Sequence, residues 1–419
     1  MKAGYRYRIY PTSGQQMALA QLFGCVRVVW NDALAFCIAQ FQSGEKKPKN
    51  TELQKKFITQ AKTQNKRSWL GKVSCVPLQQ SLNDLEQAYQ NFFKSCKGQR
   101  KGKPVKPPRF KKRHAKQSAR FTQRGFRLRG NCLHIAKIGK IKIAWSRSLP
   151  EPPTSVTIIK DAAGRYFASF IVEIVSNVLP KTDNSVGIDL GIKTFATFDD
   201  GQKVDAPKPL KKKINRLRRL SKNLSRKTRG SNRYERARKR KAKLQAKLKD
   251  TRTDFLHKLS TQIICENQTI VLEDLNVAGM IKNRKLSRAI SDLGWRQFRT
   301  YLEGKAEKYG REFRVISRWE PTSQVCSECG FRVGKLDLGV RDWTCLNCGT
   351  KHDRDINAAK NILVAGGHSE TLNGCGGKHK TAAKGAASWE ASTRGKYVQR
   401  SHCSTSRNPH AFRLGRMSR

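Results

Sequence analysis

The sequence predicts an α+β multidomain protein. We expect a small N-terminal β-barrel that carries a helical insertion, and then a second domain of buried strands and helices that contains a four-cysteine zinc ribbon. Three observations predict this fold class. Polar and apolar residues alternate through much of the first 180 residues, except for a helical stretch after the opening strand. Beyond residue 181, short apolar runs replace that alternation, and near the C-terminus two C-x2-C pairs stand fifteen residues apart.

The N-terminal region, residues 1–180, opens with a strand predicted from the alternation in YRYRIYPT. Apolar residues at helical spacing then predict three helices, from Gln15 to about Gln42, between Glu52 and Gln64, and from about Leu78 to Phe93. We expect these helices to form one lobe, inserted at about residues 12–100. The basic, Gly/Pro-punctuated run KGQRKGKPVKPPRFKKRHAK follows as irregular chain. From Ala119 to Val175 the period returns to two, which predicts the other barrel strands.

The second region, residues 181–320, follows the linker PKTDN. Its short apolar segments VGIDLGIKTFATFDDG, TIVLEDL and REFRVISRW predict buried strands, and Ser287 to Glu307 predicts a helix. Residues 208–250 hold 20 Lys and Arg but two acids. They predict one long basic helix, or two helices broken near Gly230. That excess of positive charge favours a surface that binds phosphates.

The net charge of the chain indicates its partner. The 419 residues carry 86 Lys and Arg against 31 Asp and Glu, a formal charge of +55. Such an excess favours binding to a polyanion, nucleic acid before anionic membrane. We expect no membrane partner, because no apolar run approaches the ~20 residues of a span. The N-terminus lacks the apolar core of a signal peptide, so we expect a cytoplasmic, nucleoid-associated protein.

Four of the twelve cysteines form a metal-binding pattern. Cys326, Cys329, Cys345 and Cys348 are spaced as C-x2-C-x15-C-x2-C, and a glycine follows each pair. Each tight turn brings two thiolates to one ion, and the glycine permits a left-handed residue there. We therefore expect a zinc ribbon at residues 321–350 that binds one Zn2+. Four thiolates leave no open position, so this zinc is structural and the chemistry must come from other residues.

A few acids stand where apolar residues would be expected. Asp189 ends the strand SVGID, Glu273 and Asp274 end the strand QTIVLED, and Asp353 and Asp355 open the last helix. Each alone could be a turn or capping residue. Three acids in one basic domain, at two strand ends and a helix start, fit a site for two divalent metals that cleaves phosphodiesters.

The helix phase distinguishes the two aspartates of DRDINAAKNI. Asp353 suits the N-cap position. Asp355 lies in line with Ala358, Ala359 and Ile362, so it faces whatever the helix packs on. We therefore expect Asp355 to be the metal ligand. Alternation puts Glu273 and Asp274 on opposite faces of their strand, and periodicity alone leaves open which one faces the metals.

These motifs resemble the TnpB family, the OrfB proteins of insertion sequences. The resemblance rests on YRYRIYPTSGQQ, FGCVRVVWN, KPPRFKK, GIDLGIKTFAT, VLEDLNVAGM, PTSQVCSECG and HDRDINAAKNI, and it covers about 365 residues. It implies an RNA-guided DNA endonuclease that cuts beside a short motif. The implied fold is a wedge-like barrel with a recognition lobe, then a RuvC-like domain of RNase H fold interrupted by the ribbon.

The resemblance also implies site residues and partners. Asp189, Glu273 and Asp355 would hold two Mg2+, which resolves the choice between Glu273 and Asp274. Residues 351–365 would be the last catalytic helix. Independently of the resemblance, periodicity is lost after Ala365, which predicts a basic disordered tail over residues 366–419. The guide would be an RNA from the transposon end and the target double-stranded DNA, with a separate transposase as a further partner.

Two alternatives fit parts of the same pattern. A DNA transposase would also need three acids, two metals and a basic surface. A non-catalytic RNA- or DNA-binding regulator of transposition would keep the zinc and the charge but would tolerate loss of any of the three acids.

Overall fold

The computed structural model describes residues 1–100, 102–113, 117–176, 178–334, 336–337 and 339–367. The expected disordered tail lies outside these residues from position 368 onward. The chain divides into two compact units. Unit 1 comprises Met1–Val175 and Leu220–Leu244, and unit 2 comprises Ser176–Arg219 and the chain from Gln245 onward.

Unit 1 contains a seven-stranded antiparallel sheet. Its strands are β1 (Lys2–Tyr10), β2 (Gln117–Thr122), β3 (Phe126–Arg129), β4 (Cys132–Ile135), β5 (Gly139–Ala144), β6 (Ser155–Lys160) and β7 (Tyr166–Glu173). They lie in the order β2-β6-β7-β1-β5-β4-β3, so the first strand of the chain is central. The strands expected for a barrel therefore form one antiparallel sheet. Among the strand pairings of the described residues, none closes β2 onto β3.

One group of helices in unit 1 lies between β1 and β2 in the chain. They are α1 (Ser13–Gln42), α2 (Asn50–Gln54), α3 (Ala61–Thr63) and α4 (Cys75–Cys96), with a π-helical turn at Lys55–Gln60 and a 3-10 helix at Asn65–Lys72. Thr12 caps α1 and forms a capping box with Gln15, which fixes where the helix begins. The helices and the sheet share one hydrophobic core.

Helix α1 departs from one expectation of the sequence analysis. Among the described residues it is the one helix that is long and apolar enough to cross a membrane. The search for an uninterrupted apolar run did not find it, because polar residues interrupt its apolar ones. Ten of its side chains, however, are buried in the core of unit 1. That placement is typical of a core helix.

Unit 2 is built on a five-stranded mixed sheet. Its strands are β8 (Ser185–Asp189), β9 (Ala196–Phe198), β10 (Lys203–Val204), β11 (Thr269–Glu273) and β12 (Glu312–Ile316). They lie in the order β10-β9-β8-β11-β12. β9 runs antiparallel to its neighbours β8 and β10, whereas β11 runs parallel to both β8 and β12. The carboxyl ends of β8, β11 and β12 therefore meet at one edge of the sheet.

The remaining helices are α5 (Pro209–Ser225), α6 (Asn232–Glu266), α7 (Val277–Met280), α8 (Ser287–Leu293), α9 (Trp295–Tyr309) and α10 (Arg354–Ala365). The basic region is thus two helices, with Gly230 at φ +90° between them. The helix expected at 287–307 is also divided, because Gly294 has a φ of +79° and ends α8. Positive φ is accessible to glycine at little cost, so both breaks follow from the residue type.

Candidate metal centres

Two acids end neighbouring parallel strands. β8 ends at Asp189 and β11 ends at Glu273. Ile188 pairs with Leu272 in the register of the two strands, so the residues that follow them stand opposite each other. Residues in register share a face of the sheet. Asp189 and Glu273 therefore lie side by side at the carboxyl edge.

Helix α10 packs on the face of the sheet that carries Asp189 and Glu273. A Cβ added to Gly187 would lie 2.2 Å from the carbonyl oxygen of Ala359 and 2.8 Å from Cβ of Leu363, so this approach requires a glycine. Val271, the register partner of Gly187, forms a buried cluster with Ile362 and Leu363. Helix α10, with Ala358 and Ala359 buried, therefore approaches the sheet closely.

This packing brings the start of α10 to the carboxyl edge. Asp355 precedes Ala359 by one helical turn, ~6 Å. Asp189 follows Gly187 by two strand residues, ~6.6 Å. The negative charge of Asp355 raises the pKa of Asp189. The first turn of α10 and the end of β8 therefore lie near each other. Asp189, Glu273 and Asp355, which are far apart in sequence, therefore lie in the same region of the sheet.

The electrostatics of the three acids favour a bound cation. Burial raises the pKa of Asp189 from 3.8 to about 7, with further contributions from the negative charges of Asp355 and Glu273. Burial, and then the charge of Asp274, raises the pKa of Glu273. Both carboxylates are thus destabilised as anions in the metal-free chain. A hard divalent cation would relieve that cost, and carboxylate oxygens are the ligands such an ion prefers.

The ribbon contributes a positive charge to this edge. Arg341 places Nη1 3.2 Å from Oδ1 of Asp355. Sequence reasoning did not single out this arginine, because nothing in its local pattern indicates a partner fourteen residues later.

Asp274 has a different environment from Glu273. Its carboxylate forms ion pairs with Arg318 and with Arg299, whose Nη1 lies 2.7 Å from Oδ1. The hydrogen bonds from Arg318 and then from Arg299 lower the pKa of Asp274. A carboxylate that already has two guanidinium partners has little need of a metal ion. The geometry therefore separates the two acids that periodicity alone could not.

Asp353 is the N-cap of α10, as the helix phase predicted. Its Oδ1 accepts hydrogen bonds from the backbone N–H groups of Asp355 at 3.0 Å and Ile356 at 3.1 Å. Its Oδ2 lies 2.5 Å from Nζ of Lys203. Burial opposes ionisation, but Lys203 and the backbone N–H groups outweigh it and lower the pKa of Asp353 overall.

The four predicted cysteines form the second centre. All four Sγ atoms lie within 4.8 Å of one another. Sγ of Cys326 is 3.7 Å from that of Cys348, and Sγ of Cys329 is 3.6 Å from that of Cys345. A tetrahedral zinc with Zn–S bonds of ~2.3 Å needs sulfurs about 3.8 Å apart. The cluster therefore fits one zinc ion.

The two turns of this centre have the expected geometry. Gly330, with a φ of +74°, donates its N–H to the carbonyl of Cys326 at 2.9 Å. Gly349, with a φ of +70°, makes the equivalent bond to Cys345 at 2.9 Å. Beside them, β13 (Asp342–Thr344) pairs with β14 (Lys351–Asp353). The ribbon therefore ends at the N-cap of α10.

A buried and a half-buried asparagine, which sequence reasoning missed, connect the first cysteine turn to α10. Asn357 accepts from the backbone N–H of Ser327 at 2.9 Å and donates to the carbonyl of Val325 at 2.8 Å. Asn361 donates to the carbonyls of Thr322 and Val325, both at 2.7 Å. The available signal was two asparagines four apart in DINAAKN, which share one face of a helix.

A buried histidine was also missed. Nε2 of His352 lies 3.0 Å from Sγ of Cys326, and its ring centroid is 4.6 Å from that of Trp343. A lone histidine in KHD gives no sequence signal of such a contact.

Three family models match parts of the chain. They are described as "Probable transposase" over residues 169–284, "Cas12f1-like, TNB domain" over residues 295–362, and "Helix-turn-helix domain" over residues 1–46. The third description differs from the structure. Residues 1–46 contain one strand and a single thirty-residue helix, not two helices joined by a turn.

Curated relatives extend the similarity over most of the chain. A "Putative RNA-guided DNA endonuclease" of Streptomyces pristinaespiralis is 43% identical over 370 residues, which cover 87% of this chain and 90% of the relative. The Escherichia coli K12 protein "Putative RNA-guided DNA endonuclease InsQ" is 29% identical, with coverage of 86% and 92%.

A solved structure shares the fold. The protein of a Cas12f1–sgRNA–target DNA complex superposes with a TM-score of 0.51 at 12% identity, with coverage of 87% of this chain and 98% of that one. At 12% identity this similarity concerns the fold alone. The fold of the present chain is mixed α/β and includes a four-cysteine cluster. The sequence similarity to the Streptomyces protein goes further, and on that basis this chain belongs to the TnpB/OrfB family of insertion-sequence proteins.

Proposed function

We propose that the chain is an RNA-guided DNA endonuclease encoded by a transposable element, which cuts target DNA beside a short motif. One observation carries the nuclease assignment: Asp189 and Glu273 end neighbouring parallel strands, and the negative charge of Asp355 acts on Asp189. The names of the relatives support the same activity. Three antiparallel strands followed by two parallel ones also support assigning unit 2 to the RuvC-like, RNase H-type fold.

The three acids would hold two Mg2+ ions. Bound there, the metals would activate a water molecule and stabilise the leaving oxygen of a phosphodiester. The residues provide hard oxygen ligands on elements held rigidly by the packing of α10 on β8. Arg341 would balance the charge of Asp355 before the metals bind.

The partners we propose are a guide RNA from the transposon end and double-stranded target DNA. The formal charge of +55 supports this, because binding that replaces phosphate counterions supplies affinity without sequence specificity. The protein would act in the cytoplasm at the nucleoid, and a separate transposase would move the element. One structural zinc in the ribbon would fix the entry of α10 through Asn357 and Asn361.

A matched pair of variants tests the nuclease assignment. RNA that co-purifies with the protein is sequenced to define the guide, and guide-dependent DNA cleavage is then measured for Asp355→Asn and Asp353→Asn. Asp355→Asn replaces a charged ligand and should abolish cleavage, because metal ligands act as a unit. Asp353→Asn keeps a good N-cap residue, so it should leave cleavage largely intact.

Both variants remove one negative charge next to α10, so RNA binding should survive in each. Normal cleavage by both would contradict the nuclease assignment. Cleavage by Asp355→Asn together with inactivity of Asp353→Asn would mean that the ligand has been assigned to the wrong aspartate.

A DNA transposase is the second candidate, favoured by the "Probable transposase" description of the model that matches residues 169–284. It would join the element's ends to new DNA and would need no guide. Strand transfer by the purified protein on element ends, without RNA, would support this alternative over guided cleavage.

A further inference from the structure

A basic segment of unit 1 has a burial pattern that repeats every three residues. We call residues 103–113 the strap. Val105, Pro108 and Lys111 are half-buried. The exposed residues between them are Lys103, Pro104, Lys106, Pro107, Arg109, Phe110, Lys112 and Arg113. Residues 104–112 belong to no helix or strand. This burial period and the three prolines match a polyproline II helix, which has three residues per turn.

Side chains of the helical lobe hold the strap in place. Nε1 of Trp30 donates to the carbonyl of Arg109 at 3.1 Å. Asn31 bonds both backbone groups of Lys111, donating to its carbonyl at 3.1 Å and accepting from its N–H at 2.8 Å. Nearer the start, the N–H of Val105 donates to Oγ of Ser95 at 2.9 Å. Helices α1 and α4 therefore hold the backbone of the strap in one conformation, which fixes the directions of its outward side chains.

The inward lysine anchors the same edge. Nζ of Lys111 lies 3.7 Å from the ring centroid of Trp30, a cation–π contact. The nearby acid Asp84 forms an ion pair with Arg120, whose Nη2 lies 2.6 Å from Oδ1 of Asp84. The anchoring therefore uses the inward column and leaves the outward columns to face solvent.

Four of the five outward cations lie in one column. Lys103, Lys106, Arg109 and Lys112 are three residues apart, which in a polyproline II helix puts them on one side at intervals of ~9 Å. Among the described residues no carboxylate forms a salt bridge with any of the four, and the strap itself contains no acid. A row of positive charges on a stiff support is complementary to a row of phosphates.

An exposed aromatic ring stands beside this column. Phe110 is 52% exposed, although a phenylalanine normally gains free energy from burial. An aromatic ring next to a phosphate-binding groove is what nucleic-acid-binding surfaces use to stack unpaired bases. The stacking requires an open base face, which a single strand offers and a duplex interior does not.

We propose that the strap is a binding track for single-stranded nucleic acid, with phosphates along the Lys103–Lys106–Arg109–Lys112 column and a base stacked on Phe110. An eight-nucleotide strand reaches along the whole ~28 Å from Lys103 to Lys112, because its phosphates are no closer than the ~3.4 Å per-strand rise of a duplex. This inference goes beyond the proposed nuclease function, because it concerns unit 1 and holds whether or not unit 2 cuts DNA.

The test uses the full chain and labelled eight-nucleotide strands, oligouridylate and oligothymidylate, with affinity measured by fluorescence anisotropy at several salt concentrations. Phe110→Ala should weaken binding about 5- to 150-fold, the range for loss of one stacked base. Phe110→Tyr keeps the ring and should bind like the wild type. Phe41→Ala is the matched control, because Phe41 is a 79% exposed ring of unit 1 outside the strap.

Charge is tested by a second matched pair. Lys106→Ala/Arg109→Ala should lower the slope of log affinity against log salt by about 1.4, or ~0.7 for each phosphate contact on a single strand. Lys46→Ala/Lys49→Ala removes the same charge from exposed positions of unit 1 and should leave the slope unchanged. Photocrosslinking with 4-thiouridine strands, read by mass spectrometry, should modify the peptide that contains Phe110.

The two strands distinguish the source of the ligand. Tighter oligouridylate binding assigns the track to RNA, and tighter or equal oligothymidylate binding admits an unpaired DNA strand. Wild-type affinity in Phe110→Ala, or equal losses in the strap variants and their controls, would overturn the proposal. All substituted side chains are exposed, so unchanged thermal unfolding should accompany every variant.

Discussion

The packing of α10 on β8 leads to a prediction about Gly187, which is not itself a metal ligand. In Gly187→Ala the new Cβ would stand 2.2 Å from the backbone oxygen of Ala359 and 2.8 Å from the backbone nitrogen of Leu363. These are backbone atoms, so no side-chain rotation relieves the clash. Since side-chain carbons do not approach such atoms within 3.0 Å, α10 must retreat from the strand by at least about 0.8 Å.

The retreat has two measurable consequences. Forcing an extra methyl group into a packed interface costs about 1–3 kcal/mol of folding free energy. It also carries Asp355 away from Asp189, and Mg2+ tolerates little departure from ligand distances of ~2.0–2.1 Å. Misplacing a catalytic group by ~1 Å can lower a rate about 100-fold. We therefore expect Gly187→Ala to be both less stable and at least 100-fold slower in guided cleavage, although all three carboxylates remain.

Gly304→Ala is the control. It makes the same chemical change inside α9, where an added Cβ meets nothing within 4 Å. Alanine in a helix interior should stabilise unit 2 by about 1 kcal/mol, and cleavage should be unchanged. Urea unfolding and guide-dependent cleavage are measured for both variants. Wild-type stability and cleavage in Gly187→Ala would refute the packing argument. Lower stability with normal cleavage would show that Asp355 is not positioned by this contact.

Three further predictions concern the metals and the charge. Cys345→Ser should lower bound zinc below one ion per chain and destabilise α10; a full equivalent by metal analysis would mean that the ligands are wrong. In metal-free buffer, Asp189→Asn should raise the unfolding temperature more at pH 8 than at pH 5. The folded pKa of about 7 exceeds the ordinary 3.8, so stability from protonated Asp189 is greatest at low pH and is lost as pH rises through 7. An effect independent of pH would contradict this. Finally, affinity for structured RNA should fall about 10³- to 10⁵-fold between 50 and 200 mM salt if 6–10 phosphates are contacted, whereas a flat response would exclude counterion release as the driving force.

The parts of the fold that follow from local patterning could be predicted from the sequence. Alternation in β1 and helical spacing in α1 are set by which residues contact the core, so both elements were visible as periodicities. The role of Asp353 was also local, because an N-cap depends on the next three residues. The cysteine cluster followed from the spacing of its two turns.

Other features depend on contacts between distant segments. Arg299 and Arg318 distinguish Asp274 from Glu273, and neither arginine is near them in sequence. The hydrogen bonds of Asn357 to the first cysteine turn likewise connect residues thirty positions apart. The strap is intermediate. Its cations are spaced by three in the sequence, but only the half-burial of Val105, Pro108 and Lys111 identifies which columns face outward.

The position of α10 has a consequence for biosynthesis. β8 and β11 leave the ribosome long before this helix, and Asp355 is made 82 residues after Glu273. At a synthesis rate of roughly 5–20 residues per second, about 4–16 s pass between the synthesis of Glu273 and that of Asp355. The cysteine pairs are synthesised within that interval, directly before the helix that their ribbon holds. A nascent chain therefore displays its basic surfaces to nucleic acid before it has the complete carboxylate set, and on the proposed function cutting is the last capacity that it acquires.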